Sequence, residues 1–192
     1  MKRLFHNDAG EGTTLLGKLY LTPRQRSAVL KWALYALTTL MVLVLQDVVF
    51  SRLSLLGGTV CLTHGLILLI GLIEGPNAGS VFAMAAGTFW ALSGQAMGSL
   101  SLLVLTVEAA VLGAFLLAYL RRGFWPLMAC CALGLLVYEA AIFLGGVFLS
   151  YTTLSRWLSF LSTALTGCLG CMALYPLAAA IAKIGGIPWN ER

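Results

Sequence analysis

From Val29 to Lys183 the sequence is a succession of apolar runs, with charge collected mainly at the joints between them. Long runs cover about Val29 to Leu45, Leu100 to Leu120, Phe124 to Leu149 and Trp157 to Lys183. Two shorter ones, Val60 to Ile73 and Ala78 to Ser93, flank the turn Glu74-Gly75-Pro76-Asn77. A transmembrane helix takes roughly 20 apolar residues, so the short pair is undersized for ordinary lipid-facing helix. Only 10% of the 192 residues are charged and 60% are hydrophobic, with mean hydropathy +0.94. Soluble domains carry about 25% charged residues. These features predict an all-α integral membrane protein, a six-helix transmembrane bundle with a short helix 2/helix 3 hairpin. If the short pair does not cross, the count is four spans plus a re-entrant hairpin.

Both counts are even, so both termini lie on one side. With the N-terminus inside, Lys2, Arg3, Lys18, Arg24, Arg26, Lys31, Arg121, Arg122, Lys183 and Arg192 fall on the cytoplasmic side. Only Arg52 and Arg156 fall outside. The positive-inside rule therefore puts both termini in the cytoplasm. The chain divides into a basic N-terminal tail (1–27), a polytopic membrane domain (28–184) and a C-terminal tail (185–192). The first apolar run begins too late for a cleavable signal and lacks a small-residue cleavage pattern. The loop from Ser51 to Gly58, SRLSLLGG, joins the first helix to the first short run.

Ionisable groups inside a bilayer are functional candidates by default. Glu108 and Glu139 each lie roughly 12 to 15 Å below the outer face at the helical rise. Their helices are sequence neighbours, so the two carboxyls are expected at similar depth. Asp47 at the end of the first helix, His64 just inside the second, and Gln95 lie in the same outer half. The readings open for this cluster are packing alone, a partner interface, and ligand or ion binding. The turn Glu74, Gly75, Pro76 and Asn77 is a candidate cytoplasmic contact surface. Gly71 and Gly75 form a GxxxG pair suited to close helix approach.

Cys168-Leu-Gly-Cys171 has redox or zinc spacing. It lies in an apolar run with no second such pair and no nearby His, and so reads as small helix-packing residues. There is no Walker A sequence, no GxSxG and no HExxH. No enzyme, cofactor or metal site is expected, and no nucleic-acid partner. The basic residues are accounted for by the membrane flanks.

The run LVLQDVVFSRLSLLGG, from Leu43, resembles the first helix and outer loop of the rod shape-determining protein MreD family. Members show a leucine-rich helix and then a Gln-polar-x-x-Phe/Leu element. The next stretch, GLILLIGLIEGPNAGSVFAMAAGTFWALSGQAMG, is similar to the family's pair of short helices joined by a glycine turn. The six-span count and the late Leu174-Tyr175-Pro176-Leu177 also fit. Many members carry an Asp near the end of the third helix, where this chain has Trp90 or Ala91. The resemblance implies a non-enzymatic scaffold of the bacterial cell-elongation machinery in the cell membrane. Its implied partners are an MreC-like bitopic protein, a RodA-like glycosyltransferase, a penicillin-binding transpeptidase and, indirectly, MreB. Membrane lipids complete the set. The competing expectation is a substrate-binding membrane subunit of an energy-coupling-factor-type vitamin transporter. Such subunits have similar size and topology, with an outward-facing ligand site.

Overall fold

The computed structural model describes residues 23–50, 54–55, 58–94, 98–120 and 123–184. Of the expected features, residues 1–22 and 185–192, Arg52, Gln95 and the Arg121-Arg122 pair lie outside the described residues. Among the described residues the chain is helical apart from one tiny hairpin and short connections. Its helices are α1 (Pro23–Val48), α2 (Leu62–Glu74), α3 (Pro76–Leu92), α4 (Gly98–Tyr119), α5 (Phe124–Phe148) and α6 (Trp157–Ile184). Four of them, α1, α4, α5 and α6, are long and apolar enough to cross a membrane. This is a membrane protein. α1 begins inside the expected N-terminal tail, because Pro23 is well placed at a helix start, where its missing N–H costs nothing.

The expected plain loop between the first two helices contains an antiparallel pair, β1 (Ser54–Leu55) and β2 (Gly58–Thr59), with Ser54 opposite Thr59. Pairing lets backbone polar groups at the edge of the bundle satisfy one another.

The undersized run has a simple explanation in the packing. α2 rises only about 20 Å, against roughly 30 Å of hydrocarbon. It occupies the middle of the bundle and packs against α1, α3, α4, α5 and α6. Every residue from Thr63 to Ile73 is buried. A helix wrapped by others does not have to reach the headgroups at either end. Its continuous apolar run, uniform on all faces, is what a fully enclosed helix requires.

Glycines bring the neighbours close. Gly71 backs directly onto Gly79 of α3, where a Cβ would meet the Gly71 carbonyl oxygen. The expected GxxxG partner of Gly71, Gly75, has another task. It stands at φ +95°, is the single residue between α2 and α3, and lets the chain reverse. Its N–H bonds the Gly71 carbonyl at 3.0 Å, and its own carbonyl accepts from Gly79 at 2.8 Å. On the opposite side of α2, the Cys171 Sγ sits 2.7 Å from where a Cβ on Gly65 would be. That contact places Cys171 in the α2–α6 seam.

The outside of the bundle is apolar, and on α1 the polar residues face inward. On α1 the buried positions are Lys31, Tyr35, Thr39, Val42 and Gln46, spaced three or four apart. The exposed ones include Leu37, Leu40, Met41, Val44, Leu45 and Val48. A helix in water shows the reverse arrangement. In lipid, the polar stripe is the one that needs cover.

Gly79→Ala is expected to drive a methyl into the α2 backbone and cost about 1–3 kcal/mol. Gly94 also has positive φ, at +79°, but nothing lies within 4 Å of its missing Cβ. Gly94→Ala should therefore cost only about 1–2 kcal/mol of backbone strain. Thermal unfolding of the two variants in detergent checks the order.

Candidate functional site

The two ends of α2 set up the polar chemistry. At its N-terminus, Cys61 offers no side-chain cap. The cap comes instead from α1. The Gln46 carbonyl Oε1 accepts from the Leu62 N–H at 2.9 Å, the Thr63 N–H at 2.8 Å and the Thr63 hydroxyl at 2.8 Å. The first N–H groups of a helix have no partner within it, and inside a bundle no bulk water replaces one. Gln46 supplies it from a distance of 16 residues along the chain.

At the other end, Glu74 faces inward. The Lys31 ammonium lies 2.7 Å from Glu74 Oε2, and the Tyr35 hydroxyl donates to Glu74 Oε1 at 2.9 Å. Both charged side chains are nearly covered, at 11% and 12% exposure. The turn Glu74-Gly75-Pro76-Asn77 was expected to be a contact surface. Glu74 is instead committed to α1 and Gly75 is buried, with only Asn77 exposed. The reason is the length of α2, which ends before it clears the bundle.

Between these ends lies the interior cluster. His64, in the first turn of α2, is fully buried. Its Nε2 is 3.3 Å from Glu108 Oε2 on α4. The imidazole packs against Tyr138 of α5 at 3.9 Å between ring centroids, and stacks on Trp90 of α3 at 6.2 Å. Tyr138 is hydrogen-bonded to Ser101 of α4. The Glu108 carboxylate lies directly on the bare Cα of Gly134, where a Cβ would collide with Oε1. Glu139, one residue past Tyr138 on α5, is partly buried.

Of the four expected intramembrane residues, His64 and Glu108 are in contact, and Glu139 follows Tyr138 along α5. Asp47 is half-buried on the last turn of α1, one residue beyond the Gln46 cap. Three buried polar atoms of the cluster have no hydrogen-bond partner among the described residues: His64 Nδ1, Trp90 Nε1 and Glu108 Oε1. Among the described residues no group of three or more His, Cys, Asp or Glu is arranged to hold a metal. What the cluster offers chemically is a set of proton donors and acceptors, held by four helices.

Sequence reasoning passed over Gln46, Lys31, Tyr35 and Tyr138. For Gln46 and Lys31 the signal was present, since each interrupts an apolar run. Tyr35 and Tyr138 carry no signal, because a tyrosine is at home in such a run. Comparison with family models, with curated proteins and with solved structures finds no match to this chain.

Lys31→Met leaves the Glu74 carboxylate nearly covered without its cation and should cost about 3 kcal/mol. Adding Glu74→Gln should restore most of that loss, which a double-mutant cycle of thermal unfolding measures. At the interior cluster, Glu108→Gln retains a hydrogen-bonding group of the same shape and should cost about 1–2 kcal/mol. Glu108→Lys forces an ammonium against the Gly134 backbone and should cost more than about 3 kcal/mol. Equal stability of the two variants would place Glu108 in contact with water.

Proposed function

We propose that this chain is a non-enzymatic membrane scaffold of the bacterial cell-elongation machinery, similar to the MreD family. It works by helix-helix association in the cell membrane. On this reading both termini and the positively charged joints face the cytoplasm, following the positive-inside bias. The partners are an MreC-like bitopic protein, a RodA-like glycosyltransferase and a penicillin-binding transpeptidase, with MreB reached indirectly.

The observation that carries the reading is a lateral apolar groove of about 670 Å³ between α1 and α3. Ala36, Leu40 and Leu43 line one wall; Ala78, Phe82 and Ala85 line the other. On each wall the residues recur three or four apart over about two to three turns, the spacing at which one helix meets another. Small residues allow backbones to approach closely in lipid, where packing replaces the hydrophobic drive. The groove suits the single transmembrane helix of the bitopic partner. The resemblance from Leu43 to Gly98 supports the same reading, because that stretch holds the Gln46 cap, the enclosed α2 and one wall of the groove.

Tagged protein in mild detergent should recover an MreC-like partner, and loss of the gene should round the cells. Ala85→Phe fills the groove from an already exposed position, so it should abolish recovery while leaving thermal unfolding within about 0.5 kcal/mol. Recovery of an ATP-binding-cassette pair with a coupling subunit, or a co-purifying vitamin, would overturn the scaffold in favour of a transporter subunit.

A further inference from the structure

The three partnerless polar atoms of the interior cluster belong to three different helices: His64 Nδ1 to α2, Trp90 Nε1 to α3 and Glu108 Oε1 to α4. Their residues are 0%, 4% and 6% exposed. All three residues meet at one imidazole. Glu108 Oε2 lies 3.3 Å from His64 Nε2, and the Trp90 indole stacks on the His64 ring with 16° between their planes. A buried polar group left without a hydrogen bond carries its full desolvation cost, and surrounding lipid offers no partner. Polar groups nearby are engaged elsewhere. Tyr138 bonds Ser101, the Gln46 carbonyl accepts from Leu62 and Thr63, and the Gln46 amide donates to Cys61 Sγ at 3.9 Å.

The identity of the missing partner follows from donor and acceptor bookkeeping. Trp90 Nε1–H only donates, so it needs an acceptor. Glu108 Oε1 needs a donor. His64 Nδ1 needs a donor when Nε2–H donates to an ionised Glu108, and an acceptor when a protonated Glu108 donates to Nε2. A bare cation gives the indole nothing to donate to. An anion gives the carboxylate oxygen no hydrogen. The partner must donate and accept at once, and it must be small. The imidazole is already packed on Tyr138 at 3.9 Å between ring centroids, and the Glu108 carboxylate on the bare Cα of Gly134. Water meets every one of these demands in either protonation state of the pair, and about three hydrogen bonds are what a buried water typically makes.

We infer that the His64–Trp90–Glu108 cluster is a binding site for ordered internal water. The water accepts from the Trp90 indole, donates to Glu108 Oε1 and bonds His64 Nδ1. It joins α3 to the interior near the first turn of α2, where the two helices have no direct side-chain hydrogen bond among the described residues. The Gln46 cap and the Lys31–Glu74 pair fix α1 to α2 by direct bonds. A water-mediated link instead accommodates small shifts of the Trp90 end of α3.

Water-edited solid-state magnetic resonance tests the site on full-length, isotope-labelled protein in phosphatidylcholine bilayers. Magnetisation is started on water protons and read at the Trp90 indole nitrogen and the His64 ring nitrogens, the indole assigned from sequential correlations in the unmodified protein. The expected build-up at these nitrogens is several-fold faster than at the amides of Leu69 and Ile70, which are fully buried in the middle of α2. A water-soluble gadolinium chelate should quench the signal of exposed Asn77 and leave that of Trp90 intact. Trp90→Phe removes the indole signal and should slow the build-up at His64, because one of the three anchors of the water is lost. Build-up at Trp90 and His64 as slow as at Leu69 and Ile70 would overturn the site. Quenching of Trp90 together with Asn77 would overturn it as well, since the cluster would then open to bulk solvent. Partner recovery through the α1–α3 groove is a separate measurement, so either conclusion can fail alone.

Discussion

A short helix enclosed by other helices cannot send its ends to water, and α2 has to satisfy both ends within the protein. Its first N–H groups are met by Gln46, and the carboxylate at its last residue is met by Lys31 and Tyr35. All three partners come from α1. They stand on one stripe of that helix, separated by nearly the length of α2. α1 is therefore locked antiparallel to α2, in one register and one rotation. Sliding it by a single turn, about 5 Å, would break the cap and the ion pair together. α3 and α6 pack against both members of this pair, and α4 and α5 pack against α2.

That arrangement accounts for the inward-facing polar stripe of α1. On α1, leucine and valine face outward, where they need no particular partner, and the polar side chains face inward. Specificity comes from the interior, through hydrogen bonds and glycine contacts that tolerate little displacement. The His64–Glu108 contact ties α2 to α4, and the Tyr138 and Trp90 rings tie it to α5 and α3. Each neighbour of α2 thus has at least one contact that packing of aliphatic side chains alone would not specify.

Much of the architecture is legible in the sequence because lipid imposes simple rules. Run length and charged joints mark the helices closely: α5 is expected from Phe124 to Leu149 and spans Phe124–Phe148. Rotation about each helix axis is far less legible, since uniformly apolar helices give no moment to read. Lys31 shows the difficulty. Counted as a topological charge, it looks like a flank of the membrane; in the structure it is a partner of Glu74. Glu74 looks like part of a surface turn because Gly-Pro-Asn follows it. Its burial depends on how far α2 reaches, a property of the assembled bundle rather than of the local sequence.

The one-residue connection at Gly75 also bears on how the chain enters a bilayer. α2 and α3 are joined too tightly to be threaded independently, and α2 is too short to hold a transmembrane position by itself. The two must move as a single hairpin whose tip carries a carboxylate. The residue that neutralises this carboxylate, Lys31, is synthesised earlier, on a helix able to span the membrane unaided. Chain order thus delivers the counter-ion before the charge that needs it, and α1 serves as the template on which the hairpin enters.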